Sequence, residues 1–179
     1  MISVLENENE IIQRCQAGDL NAFKKIYHHF EQPMLGMAIR MLENQSDAED
    51  AIQVAFMKLY QGISKYRFDA KFSTYLFRIV MNVCLDALKK RKIQTDLTLV
   101  ENETSYKPMN DLRMQLEEAI NKLPERMKAC FVMFAVEEFP QAEIAEVLGL
   151  SVGAVKAQVF HAKARLRSLL SDASTGAAI

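Results

Sequence analysis

Residues that interrupt helices or cross-link small folds are scarce in this sequence. Of its 179 residues only six are glycine and four are proline, and tryptophan is absent. Its three cysteines, Cys15, Cys84 and Cys130, are widely separated and form no CxxC pair, which suggests neither a disulfide framework nor a zinc site. The composition therefore favours a helical protein that forms its core without covalent or metal cross-links.

Long apolar runs are absent as well. The longest, from Ala129 to Val136, has eight residues, whereas a bilayer-spanning helix needs about 20. The first residues turn acidic at Glu6 and lack the basic start and apolar centre of a secretory signal. We therefore expect a cytoplasmic protein with no membrane-spanning segment.

The formal net charge of −1 conceals blocks of opposite sign. Residues 58–92 carry nine basic and two acidic side chains, and residues 151–179 carry four basic and one acidic. Residues 1–57 and 93–150 are both net acidic. Two basic blocks indicate two surfaces for a polyanion such as nucleic acid. Solvated helix faces would carry the same charges, so charge alone leaves the function open.

Apolar residues recur at helical spacing through most of the chain, and no segment has the alternation of a strand. In the first domain, residues 1–93, four helix starts are predicted from caps and first-turn residues. They are marked by Asp19, by Pro33, by the capping box of Ser46 and Glu49, and by Ser73 or Thr74. The last of these helices is expected to end near Lys92.

Residues 94–109 have no apolar period and are predicted to form a flexible linker. Residues 110–172 regain helical spacing, with Pro124 and Pro140 each beginning a helix. Residues 173–179 are small or polar and are predicted to be a frayed tail. The expected fold is therefore all-α, with two small helical domains joined by a flexible linker.

Residues 141–156 have the pattern of a helix-turn-helix. Ala145 provides a small residue where two helices meet, Gly149 tolerates a positive φ at the turn, and Val155 anchors the second helix. The residues left to face a DNA major groove and its phosphates are Gly153, Ala154, Lys156, Ala157, Gln158, His161 and Arg165, with Ser151 as the cap. Tight helical hairpins also occur in scaffolds, but the basic final helix favours DNA binding.

The long helix of the first domain carries a second, polar stripe beside its apolar one. Its members are Tyr75, Arg78, Asn82, Asp86 and Lys89. The aromatic residues Tyr66, Phe68 and Phe72 precede it. Cations that follow a phosphate backbone, together with rings on which bases stack, are typical of proteins that bind single-stranded or melted DNA. Phe68 and Phe72 could instead be core residues, and for Phe72 we favour that interpretation.

From about residue 10 to residue 170 the chain resembles the extracytoplasmic-function (ECF) family of bacterial RNA polymerase sigma factors. The motifs that carry the resemblance occur in family order: Gly18-Asp19 with Ala22-Phe23, Asp47-Ala48-Glu49-Asp50-Ala51-Ile52-Gln53 with Phe56, Phe72-Ser73-Thr74-Tyr75-Leu76 with Arg78-Ile79 and Asn82, Leu123-Pro124, and the helix-turn-helix with Lys156. Tyr75 stands where the family commonly has tryptophan.

The resemblance implies an alternative sigma factor that binds core RNA polymerase and directs transcription initiation by recognising −10 and −35 promoter elements. The first domain would dock on the clamp helices of the beta-prime subunit and capture the melted −10 element, and the second would recognise the −35 element as duplex. The beta subunit and an anti-sigma factor are further implied partners. No motif marks the surface that such an inhibitor would bind.

The resemblance also implies which residues make these contacts. For core polymerase they are Asp47, Glu49, Asp50, Gln53 and Phe56. For the −10 element they are Tyr66, Phe68, Ser73, Tyr75, Arg78, Asn82, Asp86, Lys89 and Lys90. For the −35 element they are Ser151 and the seven groove-facing residues of the helix-turn-helix.

Two other classes of function could account for parts of this sequence. A nuclease would need clustered metal ligands or an activated nucleophile, whereas Asp47, Glu49 and Asp50 share one helical turn with no histidine nearby in sequence. We therefore predict no catalytic, cofactor or metal site. A helix-turn-helix regulator that acts without polymerase is the alternative, although such a protein has no use for a strand-binding surface at residues 65–92.

Overall fold

The computed structural model describes residues 5–98 and 112–176, and within these ranges it is helical without strands. The helices are α1 (Glu8–Gln16), α2 (Leu20–Leu42), α3 (Gln45–Gly62), α4 (Phe72–Thr98), α5 (Leu112–Asn121), α6 (Glu125–Ala135), α7 (Gln141–Leu148) and α8 (Val152–Gly176). A short 3-10 turn at Ile63–Lys65 follows α3. The predicted all-α fold is confirmed. None of the described helices is both long and apolar enough to cross a membrane.

Helix α2 is the centre of the first half and packs against α1, α3 and α4. Pro33 lies inside this continuous helix, so the predicted break at Pro33 is wrong. A proline in a helix interior removes one backbone hydrogen bond and crowds the preceding turn. Phe30, Met34 and Met37 are all fully buried around it, and this packing on both sides of the proline holds the helix together.

The helix starts of the first half are partly as predicted. The carboxylate of Asp19 caps α2 by accepting hydrogen bonds from the backbone N–H groups of Asn21 and Ala22. Helix α3 begins two residues earlier than a Ser46 cap would allow, because the side chain of Asn44 caps it by accepting from the N–H of Asp47. The capping box of Ser46 is therefore wrong.

The long helix α4 begins at Phe72, before either predicted cap, and continues to Thr98. Residues 94–98, which were predicted to belong to the linker, are thus helical, and residues 99–109 lie outside the described part of the chain. Helix α8 similarly continues to Gly176 through residues predicted as a frayed tail, whose last three residues, 177–179, are not described.

Local signals in the second half place its helices well. Pro124 and Pro140 immediately precede α6 and α7, as predicted. Gly149 ends α7 in the left-handed conformation at φ 63°, which glycine adopts without the Cβ clash that other residues meet. The hydroxyl of Ser151 accepts from the N–H of Ala154 at 3.1 Å and caps α8.

The two halves of the chain pack against each other, mainly through α4 with α7 and α2 with α6. At the centre of this contact the rings of Phe77 and Phe139 meet edge to face, with centroids 4.4 Å apart. A smaller apolar cluster holds α5, α6 and α8 together around Phe131 and Leu166. The second half thus has a core of its own and also shares one with the first half.

The three cysteines are unpaired and buried in these cores. Burial disfavours the thiolate and raises the pKa of Cys15 and of Cys130 to about 11, and that of Cys84 to about 12. They therefore behave as small apolar core residues.

Candidate nucleic-acid and polymerase interfaces

The first two turns of α3 present an exposed polar patch, which we call the acidic surface of α3. Asp47, Glu49, Asp50 and Gln53 form this patch and are all exposed. The hydrogen bonds found here are local: Asp47 donates its N–H to Asn44, and Glu49 accepts from the side chain of Gln45 at 2.8 Å. Carboxylates near a helix N-terminus also complement the helix dipole. Their outward-facing groups are available to a partner.

Phe56, which the resemblance assigns to the polymerase contact, is buried between α3 and α2. Its side chain is only 4% exposed, and its ring packs against Tyr27 of α2 with centroids 4.7 Å apart. It therefore holds α3 against α2 and does not reach the surface, which corrects its assignment as a contact residue.

Apolar side chains extend the acidic surface of α3 along the same helix. Val54 and Met57 are exposed, Met57 at 61%, and they follow Asp50 and Gln53 by four residues, which places them on the same face. Sequence reasoning missed them, although both lie outside the buried stripe of Ile52 and its helical neighbours. Exposed apolar groups beside carboxylates are suited to a protein interface.

The aromatic segment before α4 is more buried than a base-stacking surface requires. Tyr66 is 9% exposed, its ring contacts Phe68, Phe72 and Tyr75, and its hydroxyl donates to the carbonyl of Ala70. Burial raises its pKa above the usual value for tyrosine. Phe72 is a core residue, as favoured from the sequence. The assignment of Tyr66 to direct base contact is therefore wrong in this arrangement.

Phe68 is the exposed ring of this segment. It is 39% exposed and has a positive φ of 61°, a conformation that a side chain with a Cβ adopts only when its surroundings hold it there. The buried ring of Tyr66 lies 4.9 Å from it and supports one side. Phe68 is thus exposed enough for stacking, and its contact with a base stays a prediction.

Ser73 and Tyr75, at the start of α4, are half-buried. The hydroxyl of Tyr75 donates to the carbonyl of Gly62 at 3.4 Å, and burial raises its pKa. Part of each side chain is thus accessible, but the phenol is held against the end of α3.

Further along, α4 carries what we call the basic surface of α4. It consists of Arg78, Asn82, Asp86, Lys89 and Lys90, of which the last four are exposed. Three members, Asn82, Asp86 and Lys89, line a cleft of about 360 Å³ whose opposite wall includes Arg126, Leu148 and Leu150 of the second half. The predicted polar stripe is therefore present on one face of the helix, and part of it faces the other half of the chain.

Arg78 differs from the rest of this surface because it is already paired. One of its terminal nitrogens lies 2.6 Å from a carboxylate oxygen of Glu146 on α7. Its Nε is buried and has no hydrogen-bond partner. The guanidinium thus engages the second half of the chain with only part of its hydrogen-bonding capacity.

The helix-turn-helix has the geometry that the sequence predicts. Ala145 is buried where α7 meets α8, and Val155 is fully buried beneath the turn. The buried stripe of α8 continues through Val159 and Ala162. This stripe fixes the rotation of α8 about its axis and thereby determines which side chains face outward.

The outward face of α8 contains most of the residues assigned to DNA. The exposed ones are Ser151, Gly153, Lys156, Ala157, His161 and Arg165, whereas Ala154 and Gln158 are half-buried. Phe160 is 68% exposed beside His161 and was not predicted. Its exposure follows from its place directly after the buried Val159, which is a signal that the sequence already contained.

Among the residues that the structure describes, no three histidine, cysteine, aspartate or glutamate side chains are grouped so that they could hold a metal ion. Asp47, Glu49 and Asp50 point to solvent from one helix. The described surfaces present carboxylates and apolar groups on α3, and cations and amides on α4 and α8.

Comparison with known families and relatives covers most of the chain. Residues 26–93 match the family described as Sigma-70 region 2, and residues 113–166 match the family described as Sigma-70, region 4. The ECF RNA polymerase sigma factor SigM of Mycobacterium tuberculosis is 32% identical over 95% of this chain and 88% of its own. The ECF RNA polymerase sigma factor SigW of Bacillus subtilis is 29% identical over 90% of this chain and 95% of its own.

Two solved structures have a similar fold. CnrH, solved in complex with the cytosolic domain of CnrY, gives a TM-score of 0.69 at 22% identity over 92% of this chain and 97% of that chain. The sigma factor RpoE, solved with the anti-sigma factor NepR from Bartonella quintana, gives a TM-score of 0.70 at 22% identity, covering 83% and 96% of the two chains. These likenesses concern the fold alone.

Proposed function

This chain belongs to the ECF family of RNA polymerase sigma factors, and from this starting point we propose how its surfaces divide the work of initiation. It is an alternative sigma factor that directs transcription initiation together with RNA polymerase. Our proposal assigns polymerase binding to α3, the −10 element to the segment from Phe68 to Lys90, and the −35 element to α8. It acts by binding, without a catalytic step of its own.

The acidic surface of α3 binds core polymerase in this proposal. Its carboxylates and the amide of Gln53 are exposed and would meet basic and polar groups on the beta-prime clamp helices. Val54 and Met57 would add apolar contact beside them, and in most interfaces a few well-packed side chains supply most of the affinity. Phe56 supports this surface from beneath.

The basic surface of α4 captures the melted −10 strand. Arg78, Lys89 and Lys90 would follow phosphates, Asn82 would donate and accept hydrogen bonds at base edges, and Phe68 would stack on a base. A strand-binding surface on the helix next to α3 would bring melted promoter DNA beside the polymerase. This juxtaposition of an acidic and a basic surface on adjacent helices is the observation that carries the proposal.

Helix α8 reads the −35 element in the major groove. Lys156 and Arg165 would contact phosphates, while Gly153 and Ala157 let the helix approach the bases closely. His161 and Gln158 can form hydrogen bonds to base edges. An anti-sigma factor is a further proposed partner, since the RpoE structure of similar fold contains one.

Transcription in vitro tests the proposal. Purified bacterial core polymerase, a library of genomic fragments and this protein should yield discrete transcripts that core polymerase alone does not produce. Sequencing of their starts should give two shared elements separated by a fixed spacing. Transcripts that are unchanged by addition of the protein would contradict the proposal, and DNA binding without core polymerase dependence would favour the alternative of a conventional regulator.

A further inference from the structure

We propose that the contact between the two halves is an autoinhibitory closed state, in which carboxylates of α7 cover the cations at the start of α4 and Lys128 acts as the latch. The proposal rests on the role assigned above to the basic surface of α4. Capture of the −10 strand then requires the second half to move away from the first.

Two carboxylates of α7 pair with hydrogen-bond donors that a DNA strand would need for its phosphates. Glu143 accepts from Lys71 at 2.6 Å and, through its other oxygen, from the hydroxyl of the buried Thr74 at 3.1 Å. Glu146 accepts from Arg78 at 2.6 Å. Carboxylate oxygens at these positions take the place of phosphate oxygens. Phosphates of a bound strand and the acids of α7 cannot both occupy these donors.

The cleft beside these ion pairs restricts the rest of the surface. Asn82 and Lys89 are exposed to solvent, but they face Arg126 and Leu150 of the second half across a space of about 360 Å³. A strand that follows α4 would have to pass between the two halves along this cleft. Separation of the halves would remove the opposite wall.

Lys128 is the most buried charge of the contact. It belongs to α6 of the second half, is 2% exposed, and its ammonium group donates to Glu43 at 2.6 Å and to the carbonyl of Met41 at 3.3 Å. Both acceptors lie at the C-terminal end of α2, where unsatisfied carbonyls and the helix dipole attract a cation. The lysine thus joins the two halves through a specific, geometrically demanding contact.

The same features make the closed state reversible. A buried lysine loses hydration that its partners replace only in part, and exposed ion pairs contribute little because water and salt screen them. The buried Nε of Arg78 has no partner in the closed state, and a phosphate oxygen could accept from it after opening. Arg40 and Glu137 add one more ion pair between the halves, at 2.9 Å. Binding partners can therefore shift the balance between closed and open forms.

The contact between the halves also accounts for part of the charge pattern of the chain. Most of the acidic block at residues 93–150 lies in the half to which we assign the −35 element, where acids oppose DNA binding. Three of its glutamates, Glu137, Glu143 and Glu146, pair with cations of the first half. Their charge thus serves the contact between the halves.

Reversal of the charge at Lys128 tests the proposal. Lys128→Glu places a carboxylate against Glu43 and should increase the radius of gyration measured by small-angle X-ray scattering. It should also raise the affinity for a labelled single strand of about 12 nucleotides, measured by fluorescence anisotropy, by about tenfold. The double variant Glu43→Lys/Lys128→Glu restores opposite charges and should return both quantities toward the wild-type values.

A second pair of variants guards against local unfolding around Lys128. Glu143→Lys/Glu146→Lys should repel Lys71 and Arg78 and open the protein through groups at the edge of the contact. Glu118→Lys/Glu138→Lys is the matched control, since it adds the same charge to the same half. Glu118 pairs with Lys122 of the second half, and Glu138 is exposed. Circular dichroism should show the same helical content for all variants.

Each outcome bears on a different part of the closed state. If Lys128→Glu and Glu143→Lys/Glu146→Lys both leave the radius of gyration unchanged, the proposal that these charges hold the halves together is wrong. Opening without a gain in strand affinity beyond that of the Glu118→Lys/Glu138→Lys control would overturn the masking of α4. If open variants bind no strand at all, both the masking and the proposed −10 role of α4 are refuted, although the contact between the halves would stand.

Discussion

The acidic surface of α3 and the basic surface of α4 lie on neighbouring helices, yet their charged groups are in different states. On α3 the hydrogen bonds of Asp47 and Glu49 are to the start of their own helix. On α4, Arg78 is already bound to a glutamate of the other half, and the cleft confines Asn82 and Lys89. The acidic surface of α3, which we assign to polymerase binding, is open. The basic surface of α4, which we assign to melted DNA, is partly covered.

This difference suggests an order of events. Core polymerase can reach α3 while the two halves are still in contact, because that contact is formed by α2, α4, α6 and α7. In the closed state that we propose, the −10 strand can bind only after the halves separate. A factor built in this way would dock on polymerase first and expose its strand-binding surface later, which limits unproductive binding to single-stranded DNA.

The largest effect is expected for the acidic surface of α3, which is open. Asp50→Ala/Gln53→Ala removes a charge and an amide from the acidic surface of α3 and should weaken binding to core polymerase by about thirtyfold, or roughly 2 kcal/mol. Competition with labelled wild-type protein measures this affinity.

The double variant Glu10→Ala/Gln13→Ala is the matched control, since it removes the same groups from exposed positions on α1. It should bind core polymerase as the wild type does. Wild-type affinity of Asp50→Ala/Gln53→Ala would show that polymerase uses another face.

A smaller effect is expected for the basic surface of α4, which is partly covered. Arg78→Ala/Asn82→Ala/Lys89→Ala should reduce promoter melting by about tenfold, equivalent to roughly 1.4 kcal/mol, while core binding stays at the wild-type level. Permanganate reactivity of unpaired thymines on a promoter found by the transcription assay reports melting.

The variant Asn82→Ala/Lys89→Ala separates strand contact from opening, because it leaves the pair of Arg78 and Glu146 intact. It should retain the closed dimensions and still melt DNA less well than the wild type. Equal melting by the wild type and the triple variant would contradict the role of this face.

Much of the fold could be predicted because its signals are local. Asp19, Pro124, Pro140, Gly149 and Ser151 each act within a few residues of the helix end that they set, and all five are confirmed. The relative positions of the helix-turn-helix residues follow from helical periodicity for the same reason.

The errors arose where local signals compete or where packing decides. Asn44 and Ser46 are both good caps, and nothing local shows which one the chain uses. Pro33 is a strong break signal that burial on both sides overrides. The burial of Lys128 depends on Glu43, which lies 85 residues away in sequence. A contact of that kind has no local signature, so the closed arrangement could not be anticipated.

The third surface, on α8, resembles the acidic surface of α3 in being open. Lys156 and Arg165 are exposed in the closed state. Their replacement by alanine should weaken duplex binding for all sequences and lower the salt slope by about 0.9 for each lost phosphate contact. Binding titrations at several salt concentrations measure this slope. A slope equal to that of the wild type would show that these cations do not meet phosphates.

The smallest effect is expected at Gln158, whose half-buried side chain distinguishes it from the two cations. Its amide can read a base edge only through the part that reaches the groove. We therefore expect Gln158→Ala to cost about 1 kcal/mol on the preferred sequence, at the lower end of the range for a base contact, and to change the preference at one −35 position. The salt slope should be unchanged because no charge is lost. Titrations on a library randomised at the −35 element decide between readout and packing. A base profile identical to that of the wild type, accompanied by a lower melting temperature, would show that Gln158 serves the packing of α8 and leaves recognition to the exposed residues around it.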